Sequence, residues 1–419
     1  MLVINPLIIN EIDNKVLRDY LKKYSKRKKG ETKSEWLKYL IESKELDVKE
    51  LKKFLFNELM YGTRRYIRVY KLANVRYIKK AEDWTDYLSR YGMNSLRCNK
   101  ILETNPDDAS FKIVATDNEK DEYGDLSKIF LIYVKSIKVS EKSVTSKIYT
   151  YLPVEIDLKK KLISIKVHNR NGIINENNRP EKITQSLLEL IQAQMNIKLG
   201  MFKCNPAEVL YRMSNGLIDD FFNKIPTMNK LNNLENKIDS FINDVLTEDL
   251  FKNKEIIKHE NKDFYTLNDS IMDLESEIKF LLQQAVVFDY FFDKKISGVL
   301  DELDVVLVCL RFNDRDNVTA SLTGENRRKA LFDSKTLMSL RRSMDLVKSL
   351  SYITIYYRNE DGIIMKVKYD ASNPDYLGIH VLNYNCFTER EYKRIWEIYG
   401  NYESDNDENV GELPSKKVG

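Results

Sequence analysis

Between residues 111 and 167 the chain carries four short runs of β-branched and aromatic residues, and everything around them is patterned differently. The runs are Phe111-Lys-Ile-Val-Ala, Ile129-Phe-Leu-Ile-Tyr-Val, Ile148-Tyr-Thr-Tyr-Leu and Leu162-Ile-Ser-Ile-Lys-Val. Branching at Cβ and large rings suit a pleated surface, and apolar runs this short are strands. Asn105-Pro-Asp-Asp ahead of them and Asn169-Arg-Asn-Gly172 behind them are turn chemistry, so the spacing predicts a small antiparallel meander over 105–175. A chain of 419 residues needs more than that meander, and its length points to two to four lobes.

The flanking regions follow a helical period. Ile9, Ile12, Val16, Tyr20, Leu21 and Tyr24 recur at helical spacing. Thr32 with Glu35, and Asp47 with Glu50, are capping patterns ahead of Trp36, Leu37, Leu40 and of Leu51, Leu55, Leu59, with Gly62 as a stop. A short helix from Asp83 to Tyr91 completes an expected helical lobe over 1–104. Pro180 and Gly200 bracket a further helix, and Pro206 and Gly216 a shorter one. Leu231, Leu234, Ile238, Phe241 and Val245 keep a 3,4 spacing, as do Ile271, Leu274, Ile278, Leu281, Ala285, Phe288 and Phe292. With the polar stretch 248–266 between them, these segments predict an antiparallel helix hairpin inside a helical lobe over 176–298. Such a hairpin buries its own seam in the plainest reading; it also offers self-association or a protein-partner arm through 228–246 and 268–296.

The remainder predicts an α/β lobe over 299–400. Leu303–Phe312 reads as a buried strand, 334–350 as a helix, and Tyr352–Tyr357 with Ile363–Tyr369 as a hairpin about Asn359-Glu-Asp-Gly362. Thr388 with Glu391 caps a last helix to Tyr399, and 401–419 is an acidic tail expected to be disordered. The expected fold class is α+β and multi-lobed.

No apolar run reaches the length that spans a bilayer, and the first nine residues lack the basic start of a signal peptide, so a cytoplasmic setting is expected. Cys98, Cys204, Cys309 and Cys386 have no paired spacing, and His168, His259 and His380 stand apart from them. Reduced thiols and no metal or cofactor are the reading. Gly-rich phosphate loops, nucleophile elbows and paired-histidine zinc motifs are all missing from the sequence, which argues against the familiar enzyme classes.

Charge carries the functional signal. Residues 1–100 hold 24 Lys and Arg against 13 Asp and Glu, whereas residues 201–310 hold 12 against 20. The cations cluster twice: Lys22, Lys23, Lys26, Arg27, Lys28 and Lys29, then Arg64, Arg65, Arg68, Lys71, Arg76, Lys79 and Lys80 interleaved with tyrosines. Phosphate backbones favour such runs through counterion release, and tyrosines stack on exposed bases. The plainer alternative is a solvated lysine-rich surface, or a basic face docking on the acidic middle segment of the same or a neighbouring chain. A helix at 334–350 with Arg341, Arg342 and Lys348, followed by a hairpin with Arg358, Lys366 and Lys368, offers a second, weaker helix-and-wing contact.

One trace of enzyme chemistry remains. Glu155-Ile-Asp157 with Lys166 has the flavour of a metal-dependent nuclease, in which two acids hold a divalent ion and a lysine supports the attacking water. Glu302-Leu-Asp304, entering a hydrophobic strand, has the same flavour, but neither completes the pattern, since Ser164 stands where it needs an acid two residues before Lys166. The leading expectation is a non-catalytic nucleic-acid-binding subunit, of the kind found in bacterial or mobile-element systems such as defence systems. A protein-interaction subunit assembling through the heptad helices comes second, and a cryptic metal-dependent nuclease third.

Overall fold

The computed structural model describes residues 6–9, 11–25, 32–74, 86, 89–90, 99–102, 104, 110–141, 144–247, 255–259, 262–267, 270–272, 274–290, 296–313, 319–324, 331, 335–382 and 387–403. The chain divides into two compact units, Met1–Pro206 with Val367–Gly419, and Ala207–Lys366. Both mix helices with antiparallel strands, so the α+β expectation holds at that level. The helix expected at 83–91 lies largely outside the described residues, and the acidic tail from 404 wholly outside them.

The first unit is organised by β1 (Tyr66–Asn74). The four strand-like runs become β2 (Lys112–Lys120), β3 (Leu126–Glu141), β4 (Val144–Asp157) and β5 (Leu162–Val167), each antiparallel to its predecessor. The meander folds back so that β5 lies along β1, with Val69 opposite Ser164. The other edge of β1 takes β14 (Leu377–Val381), which in turn pairs with β13 (Ile364–Asp370) from Val367 onward. Reading 1–104 as helical therefore needs a correction: its segment 66–74 is a strand with partners on both edges. Tyr66-Ile-Arg-Val-Tyr-Lys alternates with period two, and its arginine, lysine and tyrosines conceal a strand covered on both faces.

Register sorts the side chains between the two faces of this sheet. One face carries Tyr70, Leu131, Tyr133, Leu152, Val154, Ile156, Ile163 and Ile165, packed on Ile183, Leu187, Leu188 and Ile191 of α5 (Pro180–Met195). This is the larger core, and α5 meets it with an apolar stripe at 3,4 spacing. The other face is covered by the N-terminal helices α1 (Pro6–Ile9), α2 (Asn14–Lys22), α3 (Lys33–Glu42) and α4 (Val48–Met60), and by α12 (Glu389–Gly400). The capping boxes read at Thr32/Glu35 and Thr388/Glu391 are both formed. Helix α5 stops earlier than Gly200, because Asn196 takes the left-handed conformation at φ 48° and closes the helix; Lys198–Leu199 then form the short β6 against β1.

The second unit holds α6 (Pro206–Asn223), α7 (Met228–Asn232), α8 (Glu235–Thr247), α9 (Leu274–Tyr290), α10 (Ile296–Val299) and α11 (Lys335–Val347). Its sheet has the order β11 (Thr319–Thr323), β10 (Val305–Asn313), β12 (Tyr352–Arg358). Helix α6 runs through Gly216, since burying Leu217, Ile218 and Phe221 on the next turn outweighs the roughly 1 kcal/mol that a mid-helix glycine costs. The stretch between the heptad segments is not a plain linker: β7 (Glu255–His259), β8 (Lys262–Leu267) and β9 (Ser270–Met272) make a small sheet there, and Ile271 belongs to it. The seam also differs from the heptads. Helix α8 buries Ile238 and Ile242 but leaves Phe241 57% exposed, and α9 buries Val287 but leaves Leu281 64% exposed. Helix α9 packs against α7, α8 and α11, and contact with several helices rotates the buried stripe off a two-helix seam.

Candidate functional site

The cations read as a nucleic-acid surface separate into three groups. Lys22 and Lys23 are exposed at the end of α2, with Lys22 3.8 Å from Asp19. Lys26, Arg27, Lys28, Lys29, Arg76, Lys79 and Lys80 lie outside the described residues. The cations on and beside β1 are taken up by the fold. Arg64 is fully buried and donates to both the carboxylate (3.1 Å) and the backbone carbonyl (3.2 Å) of Glu11, which also receives Arg170 at 2.7 Å. Arg68 is 5% exposed; it donates to the Tyr66 hydroxyl and the Glu181 carbonyl and lies 4.2 Å from the Tyr376 ring centre. Arg65 is half-buried, and Lys71 donates to the carbonyl of Lys160. Arg64 and Arg68 thus offer no exposed face to share with Lys22 and Lys23, because both are buried. In the weaker cluster Arg341 pairs with Asp219 at 3.2 Å, Arg358 with Asp301 at 2.6 Å and Lys368 with Asp370 at 2.6 Å, Lys366 lies 5.2 Å from the Tyr356 ring centre, and Lys348 is exposed.

The same sheet gathers other residues that the sequence singled out. Two-residue periodicity puts Glu155 and Asp157 of β4 on one face, and the register sets Ser164 opposite Glu155 and Leu162 opposite Asp157. Lys166 of β5 and Lys128 of β3 project from that face too. Helix α12 crosses it and brings Tyr392, Lys393, Trp396 and Glu397. Strands and helix enclose a cleft of about 320 Å³. Its floor is Val69, Glu155, Leu162 and Ser164, its wall Tyr392 and Trp396, and its rim Lys128, Asp157, Lys160, Lys393 and Glu397.

Beneath the floor lies a buried ion pair. The Lys166 ammonium, fully enclosed, donates to Glu155 Oε2 at 3.0 Å, and Lys128 reaches Glu155 Oε1 at 3.5 Å. Two rings flank the Lys166 ammonium, Tyr392 at 3.7 Å and Tyr61 at 4.3 Å from their centres. Burial pushes the Glu155 carboxyl up, but the facing Lys166 and then Lys128 more than offset it, so the group is held below the usual carboxylate range. Burial lowers Lys166, with Glu155 opposing. The Tyr392 hydroxyl donates to Ser164 Oγ at 3.0 Å, which leaves the serine hydrogen able to point into the cleft. Asp157 takes the backbone N–H of Lys160 at 2.7 Å and so shapes the turn at the rim. Tyr392 and Tyr399 both meet Trp396 close to perpendicular, at 83° and 89°, which sets the plane of the indole.

The fold brings Glu155, Asp157 and Lys166 together on one face, where Lys166 neutralises Glu155 directly and Lys128 does so again. Among the described residues no three His, Cys, Asp or Glu side chains are grouped to hold a metal ion. The Glu302–Asp304 pair sits in the other unit on a turn before β10, with Asp304 exposed. The cleft offers cations and carboxylates at the rim, acceptors on the floor and an aromatic side chain on the wall. In sequence, the alternation in Glu155-Ile-Asp157 and Ser164-Ile-Lys166 was the legible signal; Lys128, Lys393 and Trp396 carried none.

No family model matches the chain, and neither a curated protein nor a solved structure shows significant similarity to it. Among the described residues no helix is long and apolar enough to cross a membrane.

Proposed function

We propose that the protein is a cytoplasmic, non-catalytic nucleic-acid-binding subunit, and that the cleft of the first unit holds the polynucleotide. The observation that supports this is the exposed Lys160 beside the half-buried indole of Trp396 in one cleft, with Lys128 and Lys393, which also pair with Glu155 and Glu389, on the same rim. Ammonium groups neutralise phosphates and release their counterions, and an indole stacks on a base whatever its identity. The acceptors Glu155 and Asp157 suit a ligand that carries donors beside its negative charge, as a nucleotide does with its amino and hydroxyl groups. Exposed Lys22 and Lys23 on α2 add positive charge to the same unit.

The test is fluorescence anisotropy of a labelled oligonucleotide across a salt series. Binding that weakens steeply with salt is expected, and Lys160→Ala and Lys393→Ala each reduce the slope by about one. Absence of binding at low salt refutes the proposal. A second reading, a protein-interaction subunit associating through 228–246 and 268–296, draws on the exposed Phe241 of α8 and Leu281 of α9. Light scattering over a concentration series tests it: a strict monomer with no change on Phe241→Ser and Leu281→Ser excludes self-association.

A further inference from the structure

We infer that the cleft takes one unpaired nucleotide of a single strand, its base against Trp396 and its phosphate among the rim lysines, and does not receive duplex. This rests on the proposal that the cleft binds nucleic acid and specifies which form. Three observations carry it.

The first is size. About 320 Å³ lies at the lower end of small-ligand pockets, the scale of a single nucleotide, and a paired base cannot enter without leaving its stack. The second is the position of the aromatic. Trp396 is half-buried and lines the cleft, and its near-perpendicular contacts with Tyr392 and Tyr399 fix its orientation. An aromatic held in this way is a stacking platform, which duplex, with its bases already stacked, cannot use. The third is the set of groups at mouth and floor. At the mouth the exposed Lys160 and Lys393, the latter 2.7 Å from Glu389, stand beside the carboxylates of Asp157 and Glu397, while Glu155 and Ser164 lie on the floor, 6% and 3% exposed. A ligand matching this set brings a negative group and hydrogen-bond donors to the mouth and a free hydrogen-bonding edge to the floor. A nucleotide extended from a strand offers its phosphate, its sugar hydroxyls and an unpaired edge together; a duplex keeps its pairing edges occupied.

The experiment uses the full chain and three probes: a labelled single strand, the blunt duplex of the same sequence, and an unlabelled nucleoside 5′-monophosphate as competitor. Wild type is expected to bind the single strand at least about tenfold more tightly than the duplex. Trp396→Ala should remove about tenfold or more of single-strand affinity, the scale of one lost base stack, and leave duplex binding unchanged. Trp396→Phe should keep most of it. Because Trp396→Ala also removes packing against Tyr392 and Tyr399, Lys160→Glu on the exposed rim turn serves as the second variant, with the same selective loss for the single strand. Equal or stronger binding of duplex, or equal losses on both probes, overturns the inference and leaves the nucleic-acid proposal standing. A monophosphate that binds as tightly as the strand overturns it as well, by making the free nucleotide the ligand. No binding of any probe at low salt removes both.

Discussion

Lys166→Met tests whether the ion pair beneath the cleft holds the first unit together. The substitution keeps the length of the side chain and deletes the ammonium. Glu155, 7% exposed, then keeps only Lys128, which is 24% exposed and 3.5 Å away. Stripping a buried ion of its partner costs about 3–5 kcal/mol, and the remaining lysine puts this case near the lower end, about 3 kcal/mol. Loss of the two flanking rings' contact with a desolvated cation adds about 1–2 kcal/mol. The double variant Glu155→Gln/Lys166→Met removes both charges and should cost less than the sum of the singles, with a coupling of about 2 kcal/mol. Urea unfolding followed by tryptophan fluorescence reads this unit selectively, because Trp36, Trp84 and Trp396 all belong to it. The pH dependence has a definite sign. In the wild type Glu155 is held below its ordinary range, so its stabilisation is present above the unfolded carboxyl value near 4.3 and is lost as pH falls through the folded value. Without Lys166, burial raises the group instead, so the variant loses stability as pH rises from that value. The gap between variant and wild type should be largest at pH 7 and shrink towards pH 4. A cost under about 1 kcal/mol, additive singles, or a gap independent of pH would refute the account.

Five further substitutions probe the same unit. Arg64→Met leaves Glu11 buried with Arg170 alone and should cost about 3 kcal/mol by the same urea assay, while leaving the salt slope of nucleic-acid binding unchanged wherever the variant is folded, since Arg64 is not exposed. His168 is pushed down to about 3 by burial and by Arg170, Arg64 and Arg65, and His380 to about 4 by burial and Lys368. The unfolded chain therefore binds protons that the folded one refuses, and each histidine makes stability fall by up to about 1.4 kcal/mol per pH unit from 6.5 down to 4. Burial raises Glu58 to about 7, which acts in the opposite direction between the unfolded carboxyl value and 7. His168→Asn should flatten the acid-side loss and Glu58→Gln should steepen it; unchanged slopes would contradict both assignments. Gly172 has φ +74°, and a Cβ there would lie 2.3 Å from the Ser140 carbonyl oxygen, whereas Gly124 at φ +81° has open space. Gly172→Ala should cost about 2 kcal/mol or more and Gly124→Ala about half that, measured as the difference in unfolding midpoint.

The caps and the meander were legible because their causes are local. Thr32 reaches Glu35 and Thr388 reaches Glu391 across three residues, and strands β2 to β5 pair with their neighbours in sequence. Strand β1 was not legible in the same way. Its charged and aromatic residues resemble a surface until their partners are known, and those partners are distant: Glu11 is 53 positions from Arg64, and Glu181 is 113 from Arg68. Phe241 and Leu281 of the heptad pattern are exposed for a related reason, since which stripe of a helix is buried depends on how many helices it meets.

By itself, then, the sequence determined most of the helical and strand-forming stretches and their caps, and it marked Glu155, Asp157 and Lys166 without showing that acid and lysine pair in the core. Only the tertiary structure decided which charges stay in water. It folded Arg64 and Arg68 inward and placed Lys128, Lys160 and Lys393 about a cleft that Trp396 lines. The physical reason is that propensity and capping act over a few residues, whereas desolvation is set by whatever the fold brings across a face, from any distance along the chain.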